Sequence, residues 1–388
     1  MTNRFRLAAV AAAVVAFTWP IGAGAQIQTF NVDCTAGQSI SKTLEQGDPR
    51  KPLVLTVRGT CTENVTIRRD DVTLQGQVGG NATVTAANAG AVLITVKGTR
   101  IVIDGLTLNG GLHGLAVTGT HDVSITNCLV RNAAQNGLFA ESANVLAQNN
   151  VFESSGGAGV FLRWSRARLA GNQIRSNAGP GIRAQQLASV SMAGNSVTGN
   201  GGQGILLQNG SLGVLSGETI ASNASNGIEL TVESVANVSQ TTITGNDNGI
   251  HASFSHVTIN GATVAGNRRS GLFLTASRAE LTDAAITGNG NQGVGAIIGT
   301  TLMVTGGTIS GNGFNGVSIA NNGTVTISGA TIQSNGNAGI LLALGSKLLL
   351  GTPTDATANQ SWGLDCRDGE SSFSGPLTGL ISPGCTGY

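Results

Sequence analysis

The sequence predicts a single-stranded, right-handed parallel β-helix with three short strands per coil, and three observations carry that expectation. A glycine followed by a branched apolar residue recurs from Gly114-Leu115 through Gly204-Ile205 to Gly339-Ile340, in steps of 22 or 23 residues. Apolar and polar residues alternate after each glycine, the period of a strand with one buried face. The chain is rich in glycine (58 of 388 residues) and poor in charged (11%) and aromatic (4%) residues, which fits a turn-rich β protein and not disorder.

Two further registers run beside the first. Phe152, Ile174, Val197 and Ile220 each precede the next repeat glycine by seven residues, and Val190/Met192 and Val257/Ile259 precede it by fourteen and twelve. Each repeat thus holds three strands. One repeat cannot bury its own apolar side, so successive repeats stack and pair strand on strand. A leucine-rich repeat would need a helical side, and a propeller a longer repeat. After the third strand, asparagines recur at Asn177, Asn200, Asn223, Asn246, Asn267, Asn289, Asn312 and Asn335. They are expected to stack as an amide ladder and to take the left-handed backbone of the turn. A shorter inward ladder is expected at Asn150, Asn172 and Asn195, with Cys128 as the same rung one coil earlier and hence a buried, inert thiol.

The ends differ from the middle. Residues 1–25 read as a signal peptide: Arg4 and Arg6, an apolar run over 7–17, then Ala23-Gly24-Ala25 before a cut ahead of Gln26. The localisation expected is secreted, periplasmic or extracellular. Residues 26–60 are expected to cap the solenoid, with a short amphipathic helix over 38–47. The coils then occupy 61–351, and 352–388 form a second cap with Trp362, Phe373 and Leu377 as its plug. Export permits disulfides. Cys34 and Cys61 flank the first segment and Cys366 and Cys385 the last, which suggests those two pairs.

Charge excludes some partners. There are 21 Lys+Arg against 20 Asp+Glu, and without Arg4 and Arg6 the balance is near −1. No basic field exists for nucleic acid, and no segment beyond the leader suits membrane insertion. No cofactor and no metal is expected: His113, His121 and His256 stand isolated, without ligand spacing.

The glycine steps, the I-x-x-N turns and the capped first coil resemble the secreted bacterial right-handed β-helix proteins of the pectate-lyase-like superfamily. The resemblance implies the fold over about residues 31–364 and leaves the activity open, because the superfamily holds lyases, esterases, polygalacturonases, epimerases and proteins without known catalysis. It implies carboxylate clusters for a lyase, Asp-Pro-His-Asp for an epimerase, and Asp pairs near Gly-His-Gly for a polygalacturonase. The sequence carries none of these, and Leu112-His113-Gly114 lacks the pairs.

Strand phase identifies the outward residues after each glycine. One column reads Phe139, Phe161, Arg183, Leu206, Glu229, His251, Phe273. The next reads Glu141, Arg163, Gln185, Gln208, Thr231, Ser253, Thr275. Rings stack on sugar faces, Arg forks onto carboxylates, and amides bond hydroxyls. The strip therefore suggests contact with a linear, acidic polysaccharide or cell-surface glycan, through Phe139, Glu141, Phe161, Arg163, Gln185, Gln208 and Phe273. Glu229 and His251 are the candidate acid/base pair of a lyase, C5-epimerase or glycosidase, with Arg183 to stabilise a carboxylate. The bland alternative is a solvated surface pair. Coils of constant length leave no inserted loops to wall a cleft, which favours a non-catalytic binding protein over an enzyme. An adhesive or structural rod is the third reading.

Overall fold

The computed structural model describes residues 26–119 and 122–387, so the expected leader and His121 lie outside the described residues. The strands form three parallel sheets of 14, 17 and 15 strands. The coil that begins at Gly137 shows the plan. Leu138–Glu141 lies in the first sheet, Asn144–Gln148 in the second and Val151–Glu153 in the third. One coil on, Leu138 pairs with Val160, Val145 with Ala167 and Phe152 with Ile174, all in parallel. Leu138, Ala140, Val145, Ala147 and Phe152 are all buried, so the expected phase holds on all three sides of the prism.

The repeat glycine is required by close approach, not by its own backbone angle. A Cβ on Gly204 would stand 2.6 Å from both the Gly227 carbonyl oxygen and Ile220 Cγ2. Gly204→Ala is therefore expected to lower stability by roughly 1–3 kcal/mol, as other overpacked core sites do. A thermal melt equal to that of the parent would show that the coil has room to spare.

The long asparagine ladder forms as expected. Asn200 Nδ2 donates to Asn223 Oδ1 (2.9 Å) and to the Ile174 carbonyl (3.1 Å), and its backbone N–H donates to the same Oδ1 (3.1 Å). The expected left-handed backbone falls one residue earlier. Gly199 (φ 63°), Ser222 (56°) and Gly245 (67°) take it, and the asparagines that follow them do not. The preceding residue turns the chain, and the asparagine is thereby aimed inward.

The short ladder runs from Cys128, whose N–H donates to Asn150 Oδ1, through Asn172 to Asn195. It continues where no rung was expected: Asn195 N–H donates to Glu218 Oε2 at 2.8 Å, and Glu218 N–H to Thr241 Oγ1. Cys128 is a free, buried thiol whose pKa burial pushes up to about 12, which keeps it from acting as a nucleophile.

Strand pairing reaches into both segments expected as caps. Gln28–Asp33 pairs with Leu53–Arg58, which pairs with the strand of Val72, so the second sheet starts ahead of residue 61. Beyond residue 351, Leu364–Cys366 and Ser372–Ser374 still pair with the coils before them. A helix, Ile40–Gln46, closes the first end with Ile40 and Leu44 buried. Glu63 holds its N-terminus by accepting from the Ile40 and Ser41 N–H groups. Both expected disulfides are present, Cys34–Cys61 and Cys366–Cys385. Phe373 and Leu377 pack against the core at the other end, whereas Trp362 does not join it.

Candidate functional site

The first sheet aligns the two outward columns. Phe139, Phe161 and Arg183 are successive register partners, and Glu229, His251 and Phe273 form a second such run. Successive coils lie ~4.8 Å apart, so each run places its side chains in contact distance. Leu206, between the runs, is only 7% exposed and divides the strip in two.

The first half is an aromatic and cationic platform. The Phe139 and Phe161 rings meet edge to face at 5.4 Å, and the Arg183 guanidinium lies 5.3 Å over Phe161. Arg163 is committed elsewhere: it pairs with Glu141 at 2.5 Å and sits over the Phe139 and Trp164 rings. Arg183 bonds through Nε to Gln208 Oε1 at 3.2 Å. Among the described residues no carboxylate pairs with it. A groove of about 270 Å³ opens beside Phe161 and Arg183, bordered by Asn136, Gly157 and Pro180.

His113 belongs to this platform, although the sequence suggested an isolated residue. Its ring stacks on Phe139 at 4.9 Å and 10°, and its Nδ1 accepts from the Asn136 N–H at 3.3 Å. Burial lowers its pKa, so it stacks as a neutral imidazole at pH 7. Position explains the omission: His113 precedes its repeat glycine and belongs to neither column.

The second half does not assemble the expected catalytic trio. Glu229 Oε2 accepts from Gln203 Nε2 and Asn226 Nδ2, both at 2.8 Å. His251 instead leans on Phe273 at 5.6 Å. Among the described residues no ion pair joins Glu229 to His251, and Arg183 lies two coils from Glu229 with its guanidinium turned toward Phe161. Gln203 and Asn226 are the partners that strand phase could not reveal, because both precede repeat glycines in the corner.

Two family models match the chain. The right handed beta helix region covers residues 113–255, and the periplasmic copper-binding protein (NosD) model covers 193–350. Together they span 113–350, the stretch that carries the coil repeat. The chain is a right-handed parallel β-helix protein. No curated protein matches this β-helix protein by sequence. Solved structures similar to it include the mannuronan C-5 epimerase AlgE4 A-module of Azotobacter vinelandii, at 16% identity and TM-score 0.52 over 90% of this chain and 92% of that one. The periplasmic alginate epimerase AlgG aligns at 15% identity and TM-score 0.56 over 80% and 85%. At such identities the likeness is one of fold.

The copper of the second model's description finds no fitting donor set among the described residues. Among the described residues, the one group with ligand proximity is Cys34, Cys61 and Glu63. Its sulfurs are joined in a disulfide and its carboxylate caps the helix, so neither thiolate nor free carboxylate remains.

Proposed function

We propose that this is an exported β-helix protein that binds an acidic polysaccharide along the first half of the strip and does not cleave or epimerise it. One observation carries the reading: Arg183 lies over an aromatic ring, beside an open groove, with no carboxylate among the described residues paired to it. A sugar carboxylate supplies that charge, while Phe139 and Phe161 offer faces for the ring carbons. The two disulfides suit an oxidising compartment. The fold likeness to enzymes named for alginate and mannuronan is compatible with an acidic glycan. The open, shallow strip and the amide-bound Glu229 weigh against catalysis, which needs a positioned acid/base and excluded water.

The test is a panel of neutral and acidic polysaccharides, scored for retention and for product: reducing ends, unsaturated uronates and C5 inversion. Retention of an acidic polymer without product is the expected result. Arg183→Ala should weaken it roughly tenfold or more, the scale of a charge-assisted contact. Phe161, Arg183 and Phe273 replaced together by Ala should abolish it and leave the circular dichroism spectrum unchanged. Product that vanishes with Glu229→Gln or His251→Ala would replace this reading with an enzymatic one.

A further inference from the structure

The corner between the third and first sheets breaks its own spacing once. Each asparagine of the long ladder stands four positions before the next repeat glycine, from Asn177 and Gly181 to Asn335 and Gly339, except that Asn246 stands three before Gly249. Backbone pairing shows which position is missing. Ala224 and Arg268 each follow their ladder asparagine and donate to the Asn200 and Asn246 carbonyls of the coil before. Asp247, which follows Asn246, donates instead to the Ser225 carbonyl, one position farther on. The coil of Asn246 therefore leaves a notch between Ala224 and Arg268.

Arg268 lies across that notch. Its Nη2 donates to the Ala224 carbonyl at 2.7 Å, 44 residues back and two coils away. Its charge is loosely held. Arg268 Nε stands 3.8 Å from one oxygen of Asp247 and Arg269 Nη1 stands 3.7 Å from the other, both longer than a hydrogen bond. The ion pairs on the sheets are tighter: Arg175 meets Glu153 at 2.9 Å and Arg278 meets Glu280 at 2.6 Å. Two arginines thus share one carboxylate, and a positive charge is left over on side chains 52 and 68% exposed.

The place of this surplus gives it a use. Nearer the amino end, the same corner forms the groove beside Phe161 and Arg183. The Arg268 guanidinium is held at the coil of Ala224, two coils beyond Arg183, ~10 Å along the axis. The corner residues between them, from Gly201 to Gln203 and from Ala224 to Asn226, are uncharged. We propose that Arg268, with Arg269, is a second carboxylate subsite, and that an acidic polysaccharide lies along this corner with one acid group on Arg183 and another on Arg268. The inference rests on Arg183 binding a sugar carboxylate. A second contact on the same polymer forms at the high effective concentration set by the first. It also fixes the polymer along the axis, which one cation cannot do. Glu229, on the sheet beside the far end, only accepts hydrogen bonds, so it suits a sugar hydroxyl and keeps the acid groups on the corner side.

Mannuronan and polygalacturonate, each as the polymer and as its single uronate, test this with the mature protein. Arg268→Ala should weaken polymer retention roughly three- to tenfold, the scale of a charge-assisted bond from an exposed side chain. Titration of the single uronate, followed by NMR, should not change, because one ring cannot reach from Arg183 to Arg268. Asp247→Asn removes the competing carboxylate and should strengthen polymer retention, a gain that an unfolded variant cannot show. Arg183→Ala should weaken both ligands. Polymer retention that responds to Arg183→Ala but not to Arg268→Ala overturns the second subsite and spares the first. A loss at Arg268→Ala without a gain at Asp247→Asn marks damage to the coil and also overturns it. Retention of neither polyuronate, or retention indifferent to Arg183→Ala, overturns the role of Arg183 and this inference with it.

Discussion

Ile228→Asp is expected to unfold the coils around it. Ile228 is fully buried and stacks between Ile205 and Ile250 in register on the inner face of the first sheet. A carboxylate there has no partner among apolar neighbours. It must ionise at a cost of several kcal/mol or protonate and still lack hydrogen bonds. Domain stabilities lie at about 5–15 kcal/mol, so one such change removes most of the margin. Because each coil contacts only its neighbours, the damage should begin locally. Proteolysis should cut first within the adjoining coils, and the thermal midpoint should fall by many degrees. An unchanged midpoint would mean that the inward and outward phases have been exchanged.

Stability is also expected to fall as pH rises from mildly acidic to neutral, because of Glu218. This carboxyl is 1% exposed, and its Oε1 has no partner. Burial pushes its pKa up to about 7 from an ordinary value near 4.5. The folded state therefore holds a proton that the unfolded chain has already lost between those values. Unfolding then becomes easier with each step of pH across that window, and the loss levels off above pH 7. At 1.36 kcal/mol per pKa unit the full effect is about 3 kcal/mol. The ladder explains why the neutral acid fits. Asn150, Asn172 and Asn195 each donate Nδ2 to a carbonyl 25 or 26 residues back. A protonated Oε1 is a donor at the same rung; an ionised one is not. Glu218→Gln should flatten the pH profile of the denaturant midpoint and raise stability at pH 8. A profile as steep in the variant as in the parent would assign the slope to other groups.

What the sequence made legible was whatever repeats. The glycine steps located every first-sheet strand from Leu115 onward, and strand phase placed Phe139, Phe161 and Arg183 outward in one column. Flanking positions sufficed for both disulfides. What it hid was whatever depends on side-chain direction within a corner. Glu229 and His251 are neighbours in register, yet the glutamate turns to two corner amides that belong to no column. His113 joins the platform from outside the alternation. Glu218 replaces an asparagine in a ladder whose later rungs are not amides, so no pattern of residue type announced it.

The asparagine ladder has a direction, and direction matters for a chain that emerges from one end. Each rung sends its N–H and one Nδ2 hydrogen to the following coil and the other Nδ2 hydrogen back to a carbonyl of the preceding one: Asn312 gives its N–H and Nδ2 to Asn335 Oδ1, and Asn335 gives both to Asn359 Oδ1, while their Nδ2 groups also reach the Ile286 and Ile309 carbonyls. The newest coil thus always carries donors that only the next one can satisfy. Growth from the amino end proceeds with an unfinished tip, and each added coil completes its predecessor before exposing its own deficit. Asn359 ends this succession: its Nδ2 keeps the backward bond to the Ile332 carbonyl and otherwise turns to the Ala356 and Thr357 carbonyls of its own segment. The ladder thereby needs no further rung, although strand pairing goes on past it through Leu364–Cys366 and Ser372–Ser374.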